Sequence, residues 1–344
     1  MVVSPLPNEL PILQAPMAGG PSTPALTAAV SRAGGFGFLA AGYLTPDQLR
    51  ATLADTRRLT GAPVGVNVFC PSVPADAAPV EAYARLLRPE SDRLAVPLGD
   101  PRWEDDHYAD KLELLAAERV PMVSFTFGCP DADAIEALHA AGCSVAVTVT
   151  SPEEAELGER AGADLLAVQG TEAGGHQASF LERAPNVRPL AELLEDVRSS
   201  VTLPMVASGG IMTGSEVAAA LRGGAVGVQL GTAFLCCPEA GTSAPYRRAL
   251  LEGTYPDTVL TRAFSGRYGR GLANRFAVTY SDAAPEAYPE VHHLTRPLRT
   301  AATRAGDPGT PNLWAGTGWR AVTSDPAKQV VRRIASELHE AIGT

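Results

Sequence analysis

Short apolar runs recur eight times in the first two-thirds of the chain, at Ile12–Ala15, Gly37–Ala40, Val64–Phe69, Met122–Phe127, Ser144–Thr148, Leu165–Gln169, Met205–Ser208 and Val226–Leu230. They are near-continuous rather than alternating, as expected of parallel strands covered on both faces. Helix signals stand between most of them. Thr23-Pro24 reads as an N-cap with proline at the first helical position. Thr45-Pro46-Asp47-Gln48, Ser151-Pro152-Glu153-Glu154 and Thr213-Gly214-Ser215-Glu216 read as capping boxes. Gly34, Gly142, Gly162 and Gly224 stand where helices should end.

Eight strands alternating with helices predict an α/β protein of the (β/α)8 TIM-barrel type. A doubly wound sheet would need Gly-x-Gly-x-x-Gly after the first strand, and Gln14-Ala15-Pro16-Met17-Ala18-Gly19-Gly20 does not fit. Two stretches break the rhythm: residues 70 to about 120, after strand three, and 233 to about 310, after strand eight. Loops of this length form lids or small subdomains. The expected division is a barrel of residues 1–232 plus about 311–344, and a smaller α/β or mainly α closing domain of residues 233–310.

Composition narrows the function. The chain has 344 residues, 45% hydrophobic and 19% charged, which excludes intrinsic disorder. No run reaches the ~18 apolar residues of a membrane span, and Met1–Pro5 lacks a signal-peptide pattern, so a cytoplasmic location is expected. A net charge of −10 argues against nucleic-acid binding. Lys111 and Lys328 are the only lysines, which leaves little room for a Walker-A site or Schiff-base chemistry. Cys70, Cys129, Cys143, Cys236 and Cys237 have no Cys-x-x-Cys spacing and read as free thiols.

Barrel chemistry sits at the carboxyl ends of the strands. There the chain places Pro16-Met17, Asn67, Ser124-Phe125-Thr126, Gln169 to His176, Ser208-Gly209-Gly210 and Gln229-Leu230-Gly231-Thr232. Glycine turns after strands seven and eight let backbone N–H groups approach a phosphate, and Thr232 adds a hydroxyl. A flavin mononucleotide fits the amides of Asn67 and Gln169 and the wall at Pro16-Met17; a sugar phosphate is not distinguished from it. His176, on a Gly-flanked loop at this face, is the candidate general base. His139 reads as an ordinary helix residue. His292-His293 lack a third ligand at metal-binding spacing, so no metal is expected.

These residues carry a resemblance. Gln14-Ala15-Pro16-Met17, Gly65-Val66-Asn67, Val123 to Gly128, Gln169-Gly170-Thr171-Glu172-Ala173-Gly174-Gly175-His176, Ala207 to Ile211, Gln229 to Thr232, Phe264-Ser265-Gly266-Arg267 with Arg270-Gly271 and Asn274, and Leu313-Trp314-Ala315-Gly316 resemble the FMN-dependent nitronate monooxygenases, formerly called 2-nitropropane dioxygenases. The resemblance implies an FMN barrel closed by a smaller domain. It also implies oxidation of alkyl nitronates or nitroalkanes by O2, to a carbonyl compound and oxidised nitrogen, with His176 as base. Propionate 3-nitronate is one substrate of this kind. The candidate cofactor contacts are Ala15, Pro16, Met17, Asn67, Gln169, Gly174, Gly175, Ser208, Gly209, Gly210, Gln229, Leu230, Gly231 and Thr232. Ala178 and Thr317 depart from the family's usual Gly and Gln. The alternatives are an FMN-dependent enoyl-acyl-carrier-protein reductase using NAD(P)H, and a barrel that only binds a phosphorylated ligand. Monomer and homodimer both stay open. An acidic protein handling a small anion must concentrate positive potential locally, and the stretch from Arg262 to Arg275 is the expected place.

Overall fold

The computed structural model describes residues 6–180 and 184–343. Eight parallel strands form the expected barrel: β1 (Ile12–Gln14), β2 (Gly37–Ala40), β3 (Val64–Phe69), β4 (Met122–Thr126), β5 (Ser144–Val149), β6 (Leu165–Gln169), β8 (Met205–Ser208) and β9 (Gly227–Leu230). A short strand, β7 (Gly175–His176), lies between β6 and β8 in the chain and belongs elsewhere. The ring closes where the Gln14 N–H donates to Phe36 O (2.9 Å) and the Phe36 N–H to Ile12 O (3.0 Å). Strand β4 stops one residue before the expected Phe127 because that residue turns to φ +75°.

The two-residue period of the strands explains why one end of the barrel is dry and the other polar. Leu13, Phe36, Phe38, Met122, Ala146, Leu165 and Val206 form a buried apolar cluster. Moving along the same strand faces in steps of two gives Ser124 and Thr126 after Met122, Gln169 after Leu165 and Ala167, and Ser208 after Val206. The intervening residues, Val66, Val123, Val145, Leu166 and Val168 among them, face outward and pack under the helices in the main core.

The helix signals are borne out, with one correction. Thr45 and Thr213 close full capping boxes with Gln48 and Glu216. Ser151 accepts from Glu154 N, but the Glu154 carboxylate does not return to Ser151. It binds Thr150 N (2.6 Å), Thr150 Oγ1 (2.9 Å) and Phe180 N (2.7 Å), because burial next to the β6 loop offers it donors there.

The two long insertions share a core of their own. Val80, Tyr83 and Leu87 from the first pack with Phe264, Phe276, Val291, Leu294 and Leu298 from the second. The second insertion also holds β10 (Thr258–Thr261) and β11 (Gly269–Leu272), which form an antiparallel sheet in the order β10-β11-β7. The last helix, Ala327–Gly343, returns to the barrel and packs on helices Pro24–Arg32 and Gly214–Arg222. No helix among the described residues is long and apolar enough to cross a membrane.

Candidate active site

A cavity of about 620 Å³ opens at the carboxyl ends of the barrel strands, beneath the helix Glu290–Arg304. That volume is in the range of small-molecule sites. Its lining includes His176 and all fourteen candidate cofactor contacts, from Ala15 through Thr232. These candidates come from five barrel strand ends, and the fold brings them to one wall.

Several polar groups on this wall lack partners among the described residues. The N–H groups of Gly209, Gly210 and Gly231 donate to no acceptor among the described residues. Gly210 holds φ +71°, and an added Cβ would meet Glu172 Cβ at 2.9 Å. The Gln229 side chain is buried and makes no hydrogen bond to the described residues. Asn67 donates from Nδ2 to Ser124 Oγ (3.0 Å) and Thr126 Oγ1 (3.0 Å), which leaves Oδ1 to the cavity. Gln169 is more heavily used: it donates to His176 O (3.1 Å) and accepts from Ala178 N (2.8 Å), so it holds the loop that carries His176. Buried polar groups require partners, and the free ones here mark where an occupant would bind.

His176 does not sit on a flexible loop, as the glycines suggested. It pairs with Gly269, and Gly175 with Arg270, as the edge strand β7 of the small sheet. Its ring lies 5.1 Å from Trp314, 5.5 Å from Phe127 and 6.0 Å from Tyr288. His176 Nε2 is 2.8 Å from Ser265 Oγ, and among the described residues Nδ1 has no partner. Burial, reinforced by the charges of Arg267 and Arg299, holds the imidazole down to about 3, so it is neutral at physiological pH.

The cations are not where the sequence placed them. Arg267 donates to Ser179 O (2.6 Å) and stacks on Phe127. Arg270 binds Thr171, Arg275 pairs with Glu90, and Arg262 lies over Tyr268. None of the four lines the cavity; Arg296, Arg299 and Arg304 do, together with His292. Among the described residues the lining has no Asp, Glu or Lys. Tyr43, also on the wall, holds φ +69° and donates its N–H to Asp106 Oδ1 (3.0 Å). His293 turns away to Glu104 (3.1 Å), and among the described residues no cluster could hold a metal ion.

The profile of the nitronate monooxygenase family matches residues 6–337. The chain belongs to the nitronate monooxygenase family. A probable nitronate monooxygenase of Staphylococcus aureus is 37% identical over 342 residues, covering 96% of this chain and 95% of that protein. The solved nitroalkane oxidase from Streptomyces ansochromogenes is 48% identical, covers 98% of both chains and superposes with a TM-score of 0.96. FabK from Thermotoga maritima is more distant, at 29% identity and a TM-score of 0.78 over 98% of this chain and 96% of that one. This nitronate monooxygenase family member is thus a flavoenzyme-type oxidoreductase, and the relatives support oxidation of nitroalkanes or nitronates.

Proposed function

We propose that this chain binds FMN and oxidises a small nitronate or nitroalkane with O2, His176 acting as base when the substrate arrives as the nitroalkane. The observation that carries this reading is a neutral histidine facing a cavity lined by three arginines and, among the described residues, no carboxylate. Such a cavity favours an anion and the transition state that forms one.

The residues fit FMN. The unpartnered N–H groups of Gly209, Gly210 and Gly231 would hold its phosphate, with Thr232 beside them. Gln229 and Asn67 Oδ1 would meet the polar edge of the ring system. When bound, FMN supplies the electron-accepting chemistry and O2 the final oxidant.

The protein's own part is proton transfer and exclusion of water. The Ser265 hydroxyl has an acceptor in Arg267 O (3.2 Å), so His176 Nε2–H can donate to Ser265 Oγ. This tautomer leaves the lone pair on Nδ1, the nitrogen without a partner among the described residues. Nδ1 takes the α-proton of a nitroalkane; a preformed nitronate skips this step. Phe127, Tyr288 and Trp314 surround the ring and keep it dry. Ala178 is buried on the cavity wall, which shapes the space beside the substrate.

The test is turnover by the FMN-loaded enzyme. Oxygen consumption with nitroethane and ethyl nitronate is expected. No consumption with either, together with rapid anaerobic flavin reduction by NADH, would replace this reading with a reductase.

A further inference from the structure

We propose that His292 and Arg299 form a relay that anchors the oxygens of the nitro or nitronate group, with His292 Nε2–H as the donor. This rests on the function proposed above and adds a substrate-binding residue to it.

Both residues lie on the helix Glu290–Arg304 and line the cavity. The His292 ring stacks on Tyr43 with centroids 4.2 Å apart and planes 8° from parallel. Arg299 Nη2 is 3.3 Å from His292 Nδ1 and 2.9 Å from His292 O. A guanidinium has donors only, so Nδ1 must accept. Burial and the adjacent Arg299 push the ring's pKa well below its ordinary value, so it carries one proton, and that proton is on Nε2. Among the described residues Nε2 has no partner.

Arg299 is itself fixed, donating to Thr295 Oγ1 (3.1 Å) and Asn312 Oδ1 (3.0 Å). Among the described residues no carboxylate pairs with it. An uncompensated positive charge therefore stands behind the imidazole and polarises its N–H outward, toward the cavity. The rings of His176 and His292 lie 6.0 Å and 6.4 Å from Tyr288, so the two imidazoles share one neighbour and one cavity.

The two histidines divide the work. As His176 removes the α-proton, negative charge moves from carbon to the nitro oxygens. A fixed donor there binds more strongly as that charge grows. His292 is a poor base for the same reason that it is a good donor: Arg299 occupies its other nitrogen.

The experiment compares the FMN-loaded wild type with His292→Phe, which can keep the stack on Tyr43, and His292→Gln, which restores an N–H near the position of Nε2. Nitrate, a planar monoanion, serves as a competitive inhibitor. His292→Phe should lower kcat/KM for nitroethane about 100-fold, the scale of losing one oxyanion donor, and weaken nitrate inhibition about 10-fold or more. His292→Gln should recover most of both. If His292→Phe fails to hold FMN, Arg299→Met gives the same reading with the ring retained, and nitrate inhibition should again weaken. Unchanged nitrate inhibition in every variant that holds FMN would overturn the anchor. Wild type inactive on both nitroethane and ethyl nitronate would instead overturn the functional reading beneath it.

Discussion

Lys111→Met should destabilise the protein more than any surface charge removal, and the structure says by how much. Lys111 is fully buried, with Nζ 2.7 Å from Asp106 Oδ2. Burial lowers the pKa of the lysine and raises that of the aspartate, so each depends on the other to stay charged. Removing one partner of a buried pair costs about 3–5 kcal/mol because the other charge is left without compensation. For a chain of this size that is a fall in Tm of roughly 4–7 °C. Asp106 matters to the site because its Oδ1 holds the N–H of Tyr43 in its left-handed conformation, and Tyr43 carries the stack on His292. Calorimetry at pH 5 and pH 8 is the assay. In the variant, Asp106 has a folded pKa above its unfolded value, so the penalty is present at high pH and shrinks as protonation removes the charge; the deficit should be larger at pH 8. Asp106→Asn combined with Lys111→Met keeps the acceptor for Tyr43 without the charge and should regain most of the loss. A single variant within about 2 °C of wild type, or a double variant worse than the single, would refute the reasoning.

The base should stay functional in mild acid: with His176 held at about 3 against an ordinary 6.5, kcat/KM for nitroethane should be flat from pH 7 to pH 5, and a half-maximal point between 6 and 7 would contradict it. Protonation is disfavoured in the folded state, so His176 contributes stability that is complete above 6.5 and is lost as pH falls toward 3, which urea titrations across that range would show. Gly231→Ala adds a Cβ that meets only ordinary contacts, 3.6 Å from Ala15 Cβ, so the apoprotein should melt as wild type. FMN affinity, followed by fluorescence, should nevertheless weaken about 10-fold or more, since one methyl displaces a close-packed ligand at a cost of this order; unchanged affinity would argue that no cofactor approaches this turn.

The barrel was legible because its signals are local. Parallel strands covered on both faces leave continuous apolar runs, and the switch from Met122 to Ser124 or Leu165 to Gln169 along one face marks the functional end. The small sheet was not. Its strand β7 is two residues long and meets Gly269 and Arg270 some ninety positions later, so no local pattern records the pairing. Glycine around His176 suggested mobility, whereas it serves close packing: a Cβ on Gly174 would fall 2.4 Å from Gly316 N. The anionic subsite was misplaced for a related reason. Arg262, Arg267, Arg270 and Arg275 cluster in the sequence, but tertiary partners consume them. The cations that reach the cavity stand on one helix face, with His292, Arg296, Arg299 and Thr303 at helical spacing opposite Val291, Leu294 and Leu298. That spacing was visible as a signal; which face covers the barrel is decided by packing.

The central claim, that His176 is the base for nitroalkanes and dispensable for nitronates, is tested most directly by His176→Asn in the FMN-loaded enzyme. The ratio of kcat/KM for nitroethane to that for ethyl nitronate should fall by about 10²–10⁴, the usual worth of a positioned base, with the nitronate value near wild type. Equal losses on the two substrates, or no loss on nitroethane, would contradict it.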